Sequence, residues 1–467
     1  MGSLNSLLNI ATEALQAEQV ALNATGANVA NQNTAGYTRE VVNFQSIDSV
    51  SLSGTSFGSG VTATETSLRD RVLDQQVEQQ TQVQGQSAAV VSALEQVENV
   101  FGLSSSSTSA SSTTLGTDMN TFFSALSALT ANPSDTSTRQ SVISAASALA
   151  GDFNSASSQI TAISSSLDQR VVSDVGQVNA LTSTIATLNA QIASTSPDAD
   201  AGTLEDQRQL AITQLSQLVG LDQITTQQNG ITLTTGNGAV LVSGGQSFAM
   251  TTTEINGTTH VLAGETGQDV TSSLTGGDLG GALQVRDQDL PAYQSSLDQL
   301  AYSIGTAVNT QNEAGVDANG NPGAALFSFT NGQTGAAASI QVTTTNTDAI
   351  ATAGSGEGSA GTTNATALAA LSTSDIVGTQ TATGFLAAYL SKIGSDASAA
   401  TTNNTAQQAT LTQLTTQQSS LSGVSLDQEA SNLTQYQRSY QAASQVFTIV
   451  DSLMASAINL GVETAVT

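Results

Sequence analysis

SLDQEASNLTQYQRSYQAASQVFTIVDSLMASAINL, residues 425–460, is the most regular apolar pattern in the sequence. Its apolar side chains recur in alternating steps of three and four residues, the spacing of the a and d positions of a coiled coil. Ser425 and Gln428 have the spacing of a capping box, which predicts that the helix begins there. Such a helix is about 50 Å long with one apolar face, so it needs a partner helix. The face consists of Leu433, Tyr436, Tyr440, Ala443, Phe447, Val450, Met454 and Ala457. A closing helix packed on its own domain would show the same pattern.

The other end of the chain carries a matching apolar stripe. Glu18 and Thr25 are its polar interruptions. Two one-sided helices at opposite ends can bury their apolar faces against each other, so we expect the terminal helices to pair as a coiled coil. The N-terminal stripe consists of Leu4, Leu8, Ala11, Leu15, Leu22 and Val29.

A polar run, residues 28–39, follows the N-terminal stripe. Asn and Gly tolerate left-handed backbone angles, so the run predicts a helix end and a tight loop. ANVANQNTAGYTR, residues 27–39, closely resembles the signature of flagellar rod, hook and hook-associated proteins. The ending LSGVSLDQEASNLTQYQRSYQAASQVFTIVDSLMASAINL, residues 421–460, and segments 117–140, 204–220 and 280–323 resemble the hook-associated members, in the expected order. The resemblance is weak in residues 225–275 and 325–400.

The resemblance implies a structural subunit of the bacterial flagellum. Such a subunit would form a ring of about one helical turn between hook and filament, and the next junction protein and flagellin would add to it. The implied partners are copies of the chain itself, the hook protein, hook-associated protein 3 and a flagellar export chaperone. The implied location is extracellular, at the hook–filament junction, after type III export without a cleavable signal peptide.

The interface residues follow from the two apolar stripes and from the rod/hook signature. We predict that subunits contact one another through Leu4, Leu8, Leu15, Leu22, Leu433, Tyr436, Tyr440, Phe447, Val450 and Met454, and through the signature residues Asn28, Asn31, Thr34, Gly36 and Tyr37. The resemblance further implies that an export chaperone covers Leu433, Tyr440, Phe447 and Met454 before assembly.

Composition excludes several classes of function. Nine Lys and Arg against 37 Asp and Glu give a net charge of −28, which disfavours nucleic acid and anionic membrane surfaces as partners. There is no apolar run of about 20 residues to insert into a membrane, and residues 1–10 lack the pattern of a signal peptide. Cysteine is absent, so disulfides and thiol chemistry are excluded, and nothing can cross-link during export.

The interior of the chain predicts a long helical bundle with a β-rich insertion. Residues 142–192 keep coiled-coil spacing with Asp174 as the polar intruder, and Ser196-Pro197 is expected to end this helix. Gly102 and the Ser/Thr-rich run to Thr114 predict a loop. Asn229-Gly230 and Asn256-Gly257 punctuate short β-favouring runs.

We therefore predict a mainly α, elongated, multidomain protein with paired terminal coiled-coil helices, a long helical bundle and an inserted β-rich domain. The terminal coiled-coil unit is expected to comprise residues 1–38 and 425–467. The helical-bundle unit is expected to comprise residues 39–220, 276–314 and 384–424. The β-rich unit is expected to comprise residues 221–275, with a possible contribution from 315–383. Pro291 is expected either to start or to kink a helix.

No constellation for catalysis, cofactor or metal is recognisable, so we predict that the protein is not an enzyme. His260, the one histidine, lies in a Thr-rich β-like run without a nucleophile motif. Residues 317–323, DANGNPG, begin like a calcium loop but lack its Gly and closing Glu, which favours a plain loop. Glu205 and Asp206 beside Arg208 are interpreted as helix-surface charges or an ion pair within the domain.

Two alternatives remain open. A flagellin-like filament subunit would share the paired terminal helices but lacks the ANVANQNTAGYTR signature. A secreted surface adhesin or glycan-binding protein would use the β-rich middle, although Trp is absent and aromatic residues are only 4% of the chain.

Overall fold

A computed structural model describes residues 2–463 except 48–49, 53–54, 58–59, 104–113, 196–200, 226–229, 265 and 359. The loop predicted before Thr114, the Ser196-Pro197 helix stop, Asn229 and residues 464–467 therefore lie outside the described residues. The helices are α1 Gly2–Asn31, α2 Arg71–Val100, α3 Thr114–Ala128, α4 Thr136–Thr195, α5 Thr203–Leu218, α6 Gly277–Gln284, α7 Leu290–Glu313, α8 Ala336–Ser339, α9 Thr363–Ala370, α10 Ala382–Ser422 and α11 Leu426–Glu463. The strands are β1 Glu40–Ser46, β2 Val50–Leu52, β3 Thr55–Phe57, β4 Val61–Ser67, β5 Leu221–Thr225, β6 Ile231–Thr235, β7 Val240–Ser243, β8 Gln246–Ser247, β9 Thr251–Ile255, β10 Thr258–Leu262, β11 Phe327–Ser328 and β12 Gln341–Val342.

Helix α4 is the axis of the bundle. Its 60 residues span roughly 90 Å, and its predicted seam is buried from Val142 to Ile192. Helices α3, α5, α6, α7 and α8 and the small sheets pack along its length. The predicted long helix is confirmed, and its buried side chains form one continuous core with those of its neighbours.

The close packing of α2 on α5 and α6 depends on glycine. A Cβ at Gly281 would lie 2.4 Å from the backbone oxygen of Gln86, and one at Gly85 would lie 2.7 Å from the backbone oxygen of Gln217. Both distances are shorter than any ordinary contact, so only glycine allows these backbones to approach. After α6, a π-helical turn at Val285–Asp289 leads into α7, which has Pro291 in its first turn. Pro291 therefore begins a helix that follows an irregular turn.

The β-rich region forms several small sheets. Strands β5–β8 make a four-stranded antiparallel sheet, and β9 and β10 make a hairpin whose turn contains Asn256-Gly257. Strands β11 and β12 pair only with each other among the described residues, so residues 315–383 add no strand to the β5–β8 sheet there.

A hairpin absent from our predictions covers α1. Strand β1 pairs with β4 from Glu40↔Ser67 to Ser46↔Val61, and both strands pack on α1. The carboxylate of Glu13 lies against Gly60 near the far end of this hairpin.

Polar side chains join α2 to the C-terminal half of α10. Gln80 donates to Gln407, and Gln418 donates to the carboxylate of Asp74 over 2.6 Å. Helix α10 is a single helix of 41 residues and accounts for nearly all of the segment 384–424 that we assigned to the helical bundle.

Candidate assembly site of the terminal helices

Helices α1 and α11 pack against each other, as the two terminal stripes predict. Helix α11 begins directly after Ser425 and is 38 residues long, roughly 57 Å. Its side chains facing α1 are buried or half-buried and are here called the inner seam: Leu433, Tyr436, Ala443, Phe447, Val450, Met454 and Ala457.

One residue of the predicted C-terminal face is not part of the inner seam. Tyr440 is 37% exposed, more than its predicted neighbours Tyr436 and Phe447. Tyr436 lies near Phe44 of the β1–β4 hairpin, with ring centroids 6.1 Å apart. The hairpin therefore also contacts the start of the seam, which apolar spacing alone could not indicate.

The buried face of α1 is built mostly from small residues. Leu4, Leu8, Leu15 and Leu22 are half-buried. Val29, included in the predicted stripe, is 41% exposed. The most buried positions are Ala11, Ala17, Ala21, Ala24, Thr25 and Asn28. Thr25 is not an interruption, because its hydroxyl donates to the backbone oxygen of Ala21 over 2.9 Å and can therefore be buried. The buried face is rotated from the predicted one because the hairpin also covers α1.

The rod/hook signature forms a set of internal hydrogen bonds, here called the polar link. The Asn28 side chain donates to the Glu40 carbonyl at 2.8 Å and to the Glu429 carboxylate at 3.2 Å. Its own oxygen accepts from the Tyr37 hydroxyl and from the Glu40 backbone N–H, each at 2.9 Å. Arg39 closes the polar link with an ion pair to Glu429 at 2.8 Å. The link ties α1, the hairpin and α11 together.

The predicted role of Asn28 is therefore corrected. Asn28 is 1% exposed and has no surface for a neighbouring subunit. Burial, followed by the charges of Glu40, Asp206 and Glu429, raises the pKa of the half-buried Tyr37 phenol, which therefore stays neutral and able to donate.

The other signature residues shape the loop after α1. Asn31 donates to the Ala27 carbonyl at 3.1 Å and accepts from the exposed Thr34 hydroxyl at 3.3 Å. Gly36 has φ +79°, and a Cβ there would lie 3.2 Å from Leu210 of α5. Gly36 is required for this left-handed turn, which carries the chain from α1 back to the bundle.

A buried ion cluster of Arg69, Glu205 and Asp206 fastens this end to the bundle. Arg69 contacts both carboxylates, at 2.5 Å for Asp206, and the second oxygen of Asp206 accepts from the Thr38 backbone N–H at 2.9 Å. Glu205 and Asp206 are 2% and 7% exposed. The surface-charge interpretation of these two residues is wrong, and the ion-pair interpretation is confirmed.

Glu78 is a buried carboxyl beside this cluster. It is 4% exposed and accepts a hydrogen bond from the Gln209 side chain at 2.5 Å. Burial raises the pKa of Glu78 to about 7. The hydrogen bond from Gln209 lowers this pKa, and the charge of nearby Asp74 raises it further. Glu78 and Arg69 line a common cavity of about 30 Å³.

A second apolar stripe of α11 lies about a quarter turn around the helix from the inner seam. Val446, Ile449 and Leu453 are 49%, 59% and 51% exposed, and with Ala442 they recur in steps of four, three and four. We call these four residues the outer stripe. Sequence analysis missed the outer stripe, although its spacing is visible in the sequence, because the more aromatic inner seam dominates the pattern.

The other candidate sites have structural explanations. His260 lies on β10 and contacts the Asp269 carboxylate through Nδ1 at 2.7 Å, on the protein surface. Asp317 accepts from the backbone N–H groups of Asn319 and Asn321, each at 2.8 Å, as in a polar turn. In the part of the chain that the structure describes, no three His, Asp or Glu side chains could share a metal ion, and no helix is long and apolar enough to cross a membrane.

Paired terminal helices with a long helical bundle between them are the arrangement that the resemblance to flagellar axial proteins implies, and three family models match this chain along its length. The model described as "Flagella basal body rod protein" matches residues 8–38, and the one described as "Flagellar basal body rod FlgEFG protein C-terminal" matches residues 417–460. The model described as "Flagellar hook-associated protein FlgK helical domain" matches residues 94–327, half of the chain. The chain belongs to this family of flagellar hook-associated proteins.

Individual relatives of this chain are named flagellar hook-associated protein 1. The chain is 30% identical to flagellar hook-associated protein 1 of Escherichia coli over 70% of its own length, and it spans 60% of that protein. It is 29% identical to flagellar hook-associated protein 1 of Bacillus subtilis, over 97% of each chain. The flagellar hook junction protein FlgK from Burkholderia pseudomallei has the same fold, with a TM-score of 0.68 at 21% identity over 74% of this chain and 100% of that one.

Proposed function

We propose that this chain is a structural subunit of the bacterial flagellum. It assembles as a ring of about one helical turn between hook and filament, where hook-associated protein 3 and then flagellin add to it. The observation that carries the proposal is the pair of terminal helices, which the polar link joins to each other. Helix α11 of this pair also has a second apolar stripe that is exposed. Family membership supports the hook-associated role over the flagellin and adhesin alternatives.

The subunit carries out no catalysis in this proposal, because its polar groups serve the fold. Several of the most buried charged groups near the terminal helices are paired with one another, as Arg69 is with Asp206 and Arg39 is with Glu429. In this proposal the chain has the three units predicted from the sequence, with the terminal pair as the unit closest to the filament axis and the β-rich unit outermost.

We infer that both terminal helices are unpaired before assembly. The inner seam is then accessible, and an export chaperone can cover Leu433, Tyr440, Phe447 and Met454. Helix α1 covers the inner seam in the folded chain, so the chaperone and α1 compete for Leu433, Phe447 and Met454, whereas Tyr440 lies beside this shared surface. Ordering the helices costs conformational entropy that the contacts of the assembled ring offset.

The function is tested by immunogold electron microscopy of sheared flagella, with antibody raised against residues 221–275. We expect gold only where hook meets filament. Gold along the filament would identify a filament subunit instead, and gold on the cell body alone would contradict a flagellar role. Flagella from cells lacking the protein provide the background control.

Phe447→Asp tests the shared surface. A charge in the inner seam is expected to weaken chaperone binding by about 2 kcal/mol, or roughly thirtyfold, because a central apolar anchor is lost. Motility in soft agar should be lost as well. Val172→Asp is the matched control, because Val172 is 48% exposed on α4, outside the terminal helices. Normal motility and chaperone binding in the Phe447 variant would refute the proposed role of the seam.

A further inference from the structure

Five Asn-Gly pairs occur in this chain, and the structure places four of them in exposed loops. The asparagine of the fifth pair, Asn229, lies outside the described residues. Because glycine has no side chain, little hinders a reaction between its backbone nitrogen and the side chain of the preceding asparagine. The four pairs to compare are Asn237-Gly238, Asn256-Gly257, Asn319-Gly320 and Asn331-Gly332.

The reaction open to such a pair is loss of the side-chain amide. The glycine nitrogen gives up its proton and forms a bond to the side-chain carbonyl carbon of the asparagine, and the amide nitrogen leaves that carbon as ammonia. Water then opens the resulting succinimide ring at one carbonyl to give aspartate, or at the other to give isoaspartate. Both products replace a neutral amide with a carboxylate. Ring closure therefore requires a side-chain amide and a glycine N–H that are free to meet.

The Asn237 pair is constrained at both of these groups. The Asn237 side chain accepts from the Thr235 hydroxyl and donates to the Ser273 hydroxyl, the latter at 2.5 Å. The N–H of the glycine that follows donates to the Thr235 carbonyl at 2.7 Å. Ring closure at Asn237 must therefore break several hydrogen bonds first, so the structure protects this asparagine.

Two further pairs are each constrained at one point. The N–H of Gly320, which would attack Asn319, donates to the Asp317 carbonyl at 3.2 Å. Asn256 has φ +54° and lies in the two-residue turn of the β9–β10 hairpin, whose strands pair up to the residues on either side of the turn. Ring closure at Asn256 requires a rotation of the backbone that the flanking strand pairs oppose.

The Asn331 pair lacks both kinds of constraint. It lies in the exposed loop between β11 and α8. Among the residues that the structure describes, neither the Asn331 side chain nor the N–H of Gly332 has a hydrogen-bond partner. The loop is fixed again only at Gly335, whose N–H donates to the buried Asp298 carboxylate at 2.8 Å. Both reacting groups at Asn331 are therefore free to meet.

We propose that Asn331 is a site of spontaneous covalent modification, where a succinimide formed with Gly332 converts the asparagine into aspartate or isoaspartate. The modification adds a negative charge to a chain whose net charge is already −28, and isoaspartate also adds a methylene to the backbone of the loop before α8. The reaction requires only water, so the inference stands or falls independently of the proposed function.

The first experiment follows the four pairs in one sample. The purified full chain is incubated at mildly alkaline pH, and peptide mass spectrometry measures the modified fraction of each pair over time. We expect Asn331 to react first and at least roughly tenfold faster than Asn237, since each hydrogen bond that must break costs about 1 kcal/mol. No reaction at Asn331, or a faster reaction at any of the other three asparagines, would overturn the proposal.

The same incubation in urea separates structure from local sequence. In the unfolded chain the hydrogen bonds and the hairpin are lost, so the four rates should become similar. The same order and spread of rates with and without urea would overturn the structural basis of the proposal.

Ser273→Ala provides a matched variant in the folded chain. It removes the hydroxyl to which the Asn237 side chain donates, so it should raise the rate at Asn237 about fivefold and leave the rate at Asn331 unchanged. An unchanged rate at Asn237 would contradict protection by this hydrogen bond. Asn331→Gln should abolish the reaction in its own peptide, because a glutamine side chain is one methylene longer and would have to close a larger ring.

Discussion

Replacement of Arg69 by methionine is expected to lower the free energy of unfolding by about 3 to 5 kcal/mol. Arg69 is the shared partner of Glu205 and Asp206, which are 2% and 7% exposed. Methionine fills much of the space of the arginine but leaves two buried carboxylates without this partner. Removing one member of a buried ion cluster lowers the free energy of unfolding by far more than the intact cluster adds to it. Urea denaturation followed by circular dichroism measures the change.

Lys392→Met is the matched control for Arg69. Lys392 also pairs with a carboxylate, Asp396, but its side chain is 67% exposed. Exposed pairs contribute about 0 to 1 kcal/mol, so the control should unfold almost as the natural protein does.

A second variant, Arg69→Met with Glu205→Gln and Asp206→Asn, should recover part of the loss. Similar stability of the Arg69 and Lys392 variants would contradict the role of the cluster.

Stability is expected to decrease as the pH rises from about 4.5 to about 7. The pKa of Glu78 is raised to about 7 in the folded chain from 4.5, so the folded state holds this proton more tightly than the unfolded chain. The resulting stabilisation is complete below pH 4.5 and is lost as the pH rises through 7. The difference corresponds to about 3 kcal/mol, at about 1.4 kcal/mol per pH unit.

Glu78→Gln isolates this contribution. The glutamine stays neutral and keeps a side-chain oxygen for Gln209, so it should remove the Glu78 part of the pH dependence and be more stable than the natural chain at pH 8. Asp174 of α4 also has a pKa raised to about 7, through burial and the charge of Asp278, and it adds a decrease in the same range. The double variant with Asp174→Asn should therefore show the flattest curve. An unchanged pH profile in both variants would refute the assignment.

Most of the helical architecture could be predicted from the sequence. Residues 142–192 have one uninterrupted period, and such a period has one physical explanation, a helix with one buried side. The pairing of the chain ends followed from their two stripes. The resemblance to flagellar axial proteins directed attention to the end of α1, where the structure places the polar link.

The parts that could not be predicted depend on contacts between distant residues. The β1–β4 hairpin covers α1, and its presence moves the buried face of that helix from Val29 toward Asn28. The sequence could not decide whether Glu205 and Asp206 are surface charges or members of an ion pair, because their partner, Arg69, is more than 130 positions away. Glu429 is likewise an ordinary first-turn carboxylate in sequence and becomes a buried partner of Asn28 only in three dimensions.

The polar link has a consequence for the order of folding. Asn28 and Glu429 are 401 residues apart, and closing a flexible loop of that length costs on the order of 5 kcal/mol. When α2 and α10 have paired, Asp74 and Gln418 are already together, and only the short segments beyond them remain free. We therefore expect the bundle to form first and the terminal helices to join last, at the moment when a neighbouring subunit can receive them.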